Sequence, residues 1–266
     1  MNLPQKKNIL GILIDPVSCE EATELVMEAA RQGRPFSVSA MAVHGVMSGV
    51  LNREHHYRLN NLELVVADGQ PVRWALNLLH GVGLKQRVYG PNLTMAVLAR
   101  AEQEGITVFF YGSSPDVLDL MSANIRRRFP KIRIAGVCPS TFGRISADSA
   151  DQISLEIRQL GAQIVFVGLG CPRQEAWAYE FRERLKVPIV AVGAAFPFLA
   201  GTLRQAPKWM QDRGLEWLFR LIMEPRRLWR RYLLLSPAYV ILVVCQWLGF
   251  RFSVDGDQPV HEILYG

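Results

Sequence analysis

Short apolar runs alternate with longer amphipathic segments along most of the chain, and this alternation predicts an α/β protein. Seven runs have the length and the β-branched or aromatic content of strands; they cover residues 8–14, 35–40, 62–67, 106–111, 132–135, 164–167 and 187–192. The segments between them are helical in pattern, and Ser18 is placed as the N-cap of a helix that ends near Gln32. Strands and helices that alternate in this way form a mostly parallel sheet with helices on both faces.

Four of the predicted strands run into small or polar residues, at positions 67–69, 112–114, 168–170 and 193–195. The carboxyl ends of parallel strands lie on one edge of the sheet, where open α/β folds bind ligands, so we expect these four turns to converge. Glycine has no Cβ and lets the backbone approach a ligand closely. The pattern predicts a Rossmann-like fold with a nucleotide-sized site, to which Gly112, Gly168, Gly170 and Gly193 contribute.

The segment at residues 164–175 (IVFVGLGCPRQE) combines a buried strand, a glycine turn and the start of a helix. This geometry offers free backbone N–H groups to a phosphate. It is not the dinucleotide-binding fingerprint, because Arg173 stands where the third glycine or alanine is needed. An ordinary strand-to-helix turn explains the glycines equally well, but the polar run Arg173, Gln174 and Glu175 favours a ligand site.

Asp68 is the candidate catalytic acid or base, because it directly follows an apolar strand, where partial burial would raise its pKa. An Asx turn or a helix N-cap explains an aspartate at this position equally well. Arg87, which precedes a Tyr-Gly-Pro turn, is a second candidate, although a solvated loop charge is the simpler interpretation.

The histidines and cysteines give no metal-binding spacing, so we expect neither a metal site nor a cofactor. His44 taken alone is typical of a packed histidine, and Asp255-Gly-Asp257 lies in a polar tail that we interpret as a loop. The four scattered cysteines indicate a reducing compartment, and the N-terminal apolar run is too short for a signal peptide. We therefore expect the catalytic part to stay in the cytoplasm.

The net charge of +6 is concentrated in one segment. Eight basic and three acidic side chains between Arg204 and Arg231 leave a local charge of +5. A local excess predicts one anionic partner rather than a generally basic surface, and we do not expect nucleic acid to be that partner.

Several motifs, taken in chain order, resemble the WecG/TagA/CpsF glycosyltransferases over about residues 8–232. The residues that carry the resemblance are ADGQPV at 67–72, Arg87-x-x-Gly90, VGLGCPRQE at 167–175, VGAAF at 192–196 with Ala200-Gly201, GLEWLFR at 214–220 and EPRR at 224–227.

The resemblance implies a bacterial enzyme of surface-polysaccharide or teichoic-acid assembly. Such enzymes move a sugar from a UDP- or GDP-linked donor to a polyprenyl-diphosphate-linked acceptor, with inversion and without a D-x-D metal site. Asp68 matches the family's proposed general base and Gln174 a substrate-site glutamine. Arg220, Arg227 and Arg230 match arginines of a C-terminal appendage that is thought to complete the site around the phosphates.

The predicted site joins these residues to those found at the strand ends. Asp68 is the predicted catalytic residue. The predicted substrate-binding residues are Ser39, Arg87, Gly112, Gly168, Gly170, Arg173, Gln174, Glu175, Gly193 and Phe196. The predicted diphosphate- or acceptor-binding residues are Arg220, Arg227, Arg230 and Arg231. If one helix continues through Pro225, three of these arginines share one side of it. A solvated basic face is the alternative explanation.

Two positions depart from the family pattern. Ser39-Ala-Met41 stands where members usually carry Thr-x-Asn, and Gln205 stands where they often carry Arg before Ala-Pro. The lost amide leaves open a nucleotide- or lipid-binding scaffold without catalysis. An NAD-type oxidoreductase is a further alternative, against which Arg173 in the glycine turn argues.

We predict a catalytic domain at residues 1–203 and a membrane-associating appendage at residues 204–266. Residues 232–250 carry no charge and lie between Arg231 and Arg251. This uncharged segment has about the minimum length of a bilayer span. Lying on or dipping into the cytoplasmic membrane face, beside anionic headgroups, is favoured over spanning. A tail packed on its own core or on a neighbouring subunit of a homo-oligomer is the third alternative.

Overall fold

The computed structural model describes residues 5–266, with all their side chains except those of Lys208, Asp212 and Arg227. The strands are β1 (Lys7–Ile9), β2 (Ile12–Ile14), β3 (Phe36–Met41), β4 (Leu64–Ala67), β5 (Thr107–Gly112), β6 (Arg133–Cys138), β7 (Ile164–Gly168) and β8 (Pro188–Ala191). The helices are α1 (Cys19–Gln32), α2 (Val43–Leu51), α3 (Arg53–Asn60), α4 (Gln70–His80), α5 (Gly90–Glu104), α6 (Pro115–Arg128), α7 (Ala147–Gln159), α8 (Arg173–Leu185), α9 (Ala195–Ala200), α10 (Lys208–Asp212), α11 (Glu216–Met223), α12 (Pro225–Arg230) and α13 (Ser236–Trp247), with a π-helical turn at Arg231–Leu235.

Six strands form one parallel sheet in the order β4-β3-β8-β7-β5-β6, which confirms the predicted fold class. Side chains of one strand alternate between two apolar layers. Val108 and Phe110 of β5 pack into one buried cluster, and Phe109 and Tyr111 pack into the other. Helices cover both layers, so the sheet is buried on both faces, as a parallel sheet requires.

The chain order places a topological switch point between β3 and β8. The chain runs from β3 outward to β4 on one side and reaches β8 from the other side of the sheet. In parallel α/β sheets the crevice for ligands opens where the strand order reverses, at the carboxyl ends. The turns after β3, β4, β7 and β8 therefore meet at one place.

The prediction of a single strand at residues 8–14 is wrong. The segment forms an antiparallel hairpin of β1 and β2, outside the main sheet. Leu10 and Gly11 turn the chain with φ values of 55° and 90°. A continuous apolar run does not reveal such a turn, because only Gly11 carries a sequence signal for positive φ.

Helix α1 confirms its prediction, since Ser18 and Glu21 form a capping box. The Glu21 N–H donates to Ser18 Oγ at 3.1 Å, and the Ser18 N–H donates to Glu21 Oε2 at 2.7 Å. Helices α3 and α9 were not predicted.

The C-terminal helices do not form one continuous rod. Helix α11 ends at Met223, Glu224 is non-helical (φ −134°, ψ 58°) and α12 begins at Pro225. Proline lacks the N–H that would continue α11, so the helix restarts at Pro225 and the arginines do not share one continuous helix.

Residues 228–247 are helical and apolar enough, by length and composition alone, to cross a membrane, and 17% of the most apolar window is buried. The middle and the end of this region contact the α/β layer. Tyr239 of α13 is buried, and its hydroxyl lies 3.4 Å from the Pro71 carbonyl oxygen. Near the end of α13, Gln246 Oε1 accepts from the Leu10 N–H at 2.9 Å, and its Nε2 donates to the Asn8 carbonyl at 3.0 Å.

Residues 251–266, the C-terminal strap, return across the α/β layer toward the carboxyl edge of the sheet. Arg53 pairs with Asp257 at 2.8 Å, and Arg184 pairs with Glu262 at 2.9 Å. At the end of the strap, the Phe142 N–H donates to the Gly266 carbonyl at 3.0 Å. Residues 255–257 form neither helix nor strand, which confirms the prediction of a loop.

Candidate active site

A cleft of about 290 Å³ opens at the carboxyl edge of the sheet, and we call it the sheet-edge cleft. The turns after β3, β7 and β8 and the residue after β4 form its walls. The structure brings together here the following predicted site residues: Asp68, Gly168, Gly170, Gln174, Glu175, Gly193, Arg220 and Arg231.

A second cavity of about 630 Å³ adjoins the first, and we call it the apolar groove. Its walls come from α11, the π-helical turn and α13 on one side and from the start of α4 on the other. Apolar side chains dominate the lining, among them Trp217, Tyr232, Leu233, Val240 and Ile241. The two cavities share Ala42, Asp68, Ala194, Arg220 and Arg231. Asp68 therefore lies at their junction.

Asp68 is held by the backbone on both sides of its strand end. Its N–H donates to the Met41 carbonyl at 2.9 Å, and its Oδ1 accepts from the Gly90 N–H at 3.3 Å. The N-cap of α4 is Gly69 and carries no side-chain cap, so the N-cap interpretation of Asp68 is wrong.

Burial raises the pKa of Asp68 to about 6. Arg87, the Gly90 N–H and Arg220 oppose this rise, and the nearby carboxylate of Glu216 adds to it. A carboxylate with a pKa near neutrality is both deprotonated at physiological pH and basic enough to accept a proton.

Arg87 forms a mostly buried ion pair, so the interpretation as a solvated loop charge is wrong. Its Nη2 lies 2.5 Å from Glu216 Oε2, and the two side chains are 13% and 12% exposed. The Tyr89 hydroxyl donates to Glu216 Oε1 at 3.2 Å, and the Arg87 guanidinium lies over the Tyr89 ring at 4.4 Å. Arg87 lines the apolar groove and joins α11 to the sheet edge beside Asp68.

Gln174 ties two turns of the cleft together. Its Oε1 accepts from the Gly193 N–H at 2.8 Å, and its Nε2 donates to Glu175 Oε1, also at 2.8 Å. Ser39 Oγ donates to the same Glu175 oxygen at 3.1 Å. Ser39 is fully buried and does not line the cleft, and its hydroxyl contacts Glu175, the neighbour of Gln174 in the chain.

Two glycines permit the close packing of these turns. A Cβ on Gly193 would lie 2.3 Å from Gln174 Oε1 and 2.9 Å from the Gly170 backbone nitrogen. A Cβ on Gly168 would lie 2.5 Å from the Phe196 ring. Phe196 is fully buried and supports the β7 turn from below rather than lining the cleft.

Three other predicted residues do not line the sheet-edge cleft. Gly112, with φ 104°, packs against the Gly168 carbonyl group. Arg173 Nη1 donates to the Phe142 carbonyl at 3.2 Å, and the guanidinium lies over Tyr265 of the C-terminal strap at 5.8 Å. Arg230 lies over the Trp229 ring at 5.3 Å and lines neither of the two described cavities.

The arginines of the C-terminal segment differ in whether they line the two cavities, where an anion could contact them. The Nε of Arg220 is buried and has no hydrogen-bond partner among the described residues, while the side chain lines both cavities. Arg231 also lines both cavities. The side chain of Arg227 lies outside the described residues.

Sequence reasoning missed Glu216 as a site residue. Glu216 could have been suspected because it lies in the segment 214–220, which also contains Arg220. Its contact with Arg87 is not visible in the sequence, because the two residues lie far apart in the chain. Cys171 was also missed, although it lines the cleft inside the predicted turn.

Two comparisons with known proteins agree with this architecture. The model of the WecG/TagA/CpsF glycosyl transferase family matches residues 7–253. The N-acetylglucosaminyldiphosphoundecaprenol N-acetyl-beta-D-mannosaminyltransferase of Bacillus spizizenii is 31% identical over 194 residues, which cover 73% of this chain and 72% of that protein. The resemblance predicted from the motifs is confirmed, and the chain belongs to the WecG/TagA/CpsF family of glycosyl transferases.

Proposed function

We propose that this glycosyltransferase moves a sugar, with inversion, from a nucleoside-diphosphate donor to a polyprenyl-diphosphate-linked acceptor at the cytoplasmic membrane face. One observation carries the proposal. Asp68 lies where the sheet-edge cleft meets the apolar groove, and two arginines line both cavities at that junction. The name of the Bacillus spizizenii relative describes an acceptor of this chemical class.

The sheet-edge cleft suits the donor. It lies at the switch point of the sheet, and the glycine turns after β7 and β8 line its wall, where no Cβ keeps a ligand from the backbone. A UDP- or GDP-linked sugar is the donor class that we infer. The mannosaminyl group in the relative's name favours an N-acetylhexosamine.

The apolar groove suits the lipid end of the acceptor. Its lining continues to the protein surface, where Leu233 and Ile241 are 56% and 63% exposed. An isoprenoid chain has only apolar surface to bury, and an adjacent guanidinium supplies charge-assisted hydrogen bonds to a diphosphate. We assign the acceptor diphosphate to the neighbourhood of Arg220 and Arg231.

In the proposed reaction, the Asp68 carboxylate accepts the proton of the acceptor hydroxyl. The hydroxyl oxygen attacks the sugar C1 from the face opposite the donor phosphate, and the bond between C1 and the phosphate oxygen breaks. The bonding electrons leave with the nucleoside diphosphate, whose negative charge the arginines stabilise. One bond forms at C1 as one breaks, so the configuration inverts.

Membrane association follows from the same arrangement. We propose residues 1–203 as the catalytic unit and residues 204–266 as the appendage that brings the acceptor to it. The exposed apolar residues of α13 and the basic segment before it match an interfacial helix beside anionic headgroups.

The test uses the purified full chain, a panel of UDP- and GDP-sugars and a short-chain prenyl-diphosphate N-acetylglucosamine. We expect release of nucleoside diphosphate that depends on the acceptor and falls at least about 100-fold in Asp68→Asn. Asp119→Asn, on the exposed face of α6, is the matched control. The scaffold alternative would instead be supported if the protein binds the nucleotide-sugar without releasing nucleoside diphosphate and Asp68→Asn leaves that binding unchanged. This alternative is considered because Met41, in the cleft wall, stands where family members usually carry asparagine.

A further inference from the structure

Three side chains with metal-ligating atoms meet beside the sheet-edge cleft, and two of them, Cys171 and Glu175, line it. His55 comes from α3, Cys171 from the turn after β7 and Glu175 from the first turn of α8. One ligand atom from each of the three lies within 4.8 Å of the other two. The proposed transfer reaction uses none of these groups at the reacting centre.

Two of the three residues carry buried polar atoms without a hydrogen-bond partner among the described residues. They are His55 Nε2 and Glu175 Oε2, on side chains that are 6% and 1% exposed. An unpaired buried polar atom costs free energy, so a native structure usually supplies a partner from protein, water or an ion. The second carboxylate oxygen of Glu175 is already used by Ser39 and Gln174.

We propose that His55, Cys171 and Glu175 bind a divalent transition-metal ion of the zinc type. Imidazole nitrogen, thiolate sulfur and carboxylate oxygen are a ligand set that suits Zn²⁺ and excludes Mg²⁺ and Ca²⁺, which prefer oxygen alone. Bonds of about 2.0–2.3 Å in a tetrahedral site place ligand atoms roughly 3.3–3.8 Å apart. The ligand atoms here lie within 4.8 Å of one another, so metal binding would draw them together by up to about 1–1.5 Å.

The protonation states fit the proposed ligands. Burial, with smaller effects of Arg58 and His56, lowers the pKa of His55 to about 4, so the ring keeps a free lone pair at neutral pH. Burial and the nearby Glu175 carboxylate raise the pKa of the Cys171 thiol, which is therefore protonated without metal. Binding replaces the S–H bond by an S–metal bond and releases one proton to solvent.

The cleft provides both access and a fourth ligand. Cys171 and Glu175 line it, so water can complete a tetrahedral site from the open side. The ion would hold Glu175 and, through Gln174, the Gly193 turn. Its role would be to position the cleft wall, and the proposal does not depend on the transferase reaction.

This proposal replaces the prediction of no metal site. That prediction rested on spacing along the chain, and His55 lies more than a hundred positions from Cys171. The fold joins them because α3 and α8 pack together.

The experiment titrates Co²⁺ and Cd²⁺ into the chelator-treated, reduced full-length protein and follows the sulfur-to-metal charge-transfer absorption. Metal content after growth with zinc is measured on the same protein. We expect about one equivalent per chain and loss of the absorption band in Cys171→Ser and in His55→Gln. Cys245→Ser, which removes a half-buried cysteine of α13, is the control that keeps the band.

A second readout does not require every variant to fold. In the wild-type protein, zinc should slow alkylation of Cys171 at least tenfold and leave that of Cys245 unchanged, as measured by peptide mass spectrometry. Binding below about one tenth of an equivalent, or a band that persists in Cys171→Ser, would overturn the proposal. A buried water molecule would then be the partner of His55 and Glu175.

Discussion

Asp68→Asn should make the protein more stable at neutral pH while it lowers the rate of transfer at least about 100-fold. The folded protein holds the Asp68 proton more tightly than the unfolded chain, because burial raises the pKa from 3.8 to about 6. Between these two pH values the unfolded state binds fewer protons, so stability falls as the pH rises through this window. Above about pH 6 the charged carboxylate destabilises the fold by its full amount.

The magnitude follows from the two pKa values. Their difference means that the ionised Asp68 carboxylate lowers the free energy of unfolding by about 3 kcal/mol at pH 7.5. At pH 4 this destabilisation is less than about 1 kcal/mol. Asparagine carries no charge, and its amide oxygen still accepts from the Gly90 N–H. For a chain of this size, about 3 kcal/mol raises the melting temperature by about 5 °C.

The assay is thermal unfolding of wild type and Asp68→Asn at pH 7.5 and pH 4, with sugar transfer measured on the same samples. Asp119→Asn controls for the loss of a surface charge. An unchanged melting temperature at pH 7.5 would refute the reasoning. An equal rise at both pH values would show that the gain comes from packing instead of charge.

Four further predictions test other parts of the site. The kcat/KM for transfer should rise with pH through about 6, as the Asp68 carboxylate loses its proton; a profile flat from pH 5 to 8 would exclude it as the base. Glu216→Gln should cost about 2–3 kcal/mol in unfolding free energy, because it removes the ion-pair partner of the mostly buried Arg87; Glu156→Gln, on the exposed face of α7, serves as the comparison in denaturant titration. Gly193→Ala should lower kcat/KM at least tenfold, because the new methyl group collides with Gln174 and the Gly170 backbone, and unaltered kinetics would contradict the packing described above. Ile241→Asp in the apolar groove should raise the KM for the prenyl acceptor about tenfold and leave the donor KM unchanged, whereas Val260→Asp on the strap should change neither.

The sequence predicts the sheet and its ligand edge because these depend on local patterns. The capping box at Ser18 and the apolar strands that run into glycine turns are each visible within about ten residues. Asp68 directly follows β4, and Gln174 lies in the first turn of the helix that follows β7, so their placement at this edge follows once the sheet is parallel.

The predictions that the structure corrects concern contacts between distant segments of the chain or individual backbone torsion angles. Nothing near Arg87 in the sequence shows that Glu216 pairs with it, and nothing near Arg173 shows that Tyr265 of the strap draws it away from the cleft. The hairpin at Leu10 and Gly11 depends on two backbone torsion angles inside an apolar run. Hydrophobic periodicity does not register such angles.

The attachment of α13 at both ends limits how a lipid can travel to the enzyme. Arg231, the first residue of the π-helical turn, lines the cleft, and Gln246 is hydrogen-bonded to the β1–β2 hairpin. In the proposed membrane association, a helix fastened in this way lies along the protein, and its exposed side rests in one leaflet without crossing to the other. A prenyl chain could then slide sideways into the groove by two-dimensional diffusion. It would avoid extraction into water, which costs about 0.8 kcal/mol for each CH₂ group. Product release would be equally lateral, leaving the lengthened glycolipid in the leaflet from which it came.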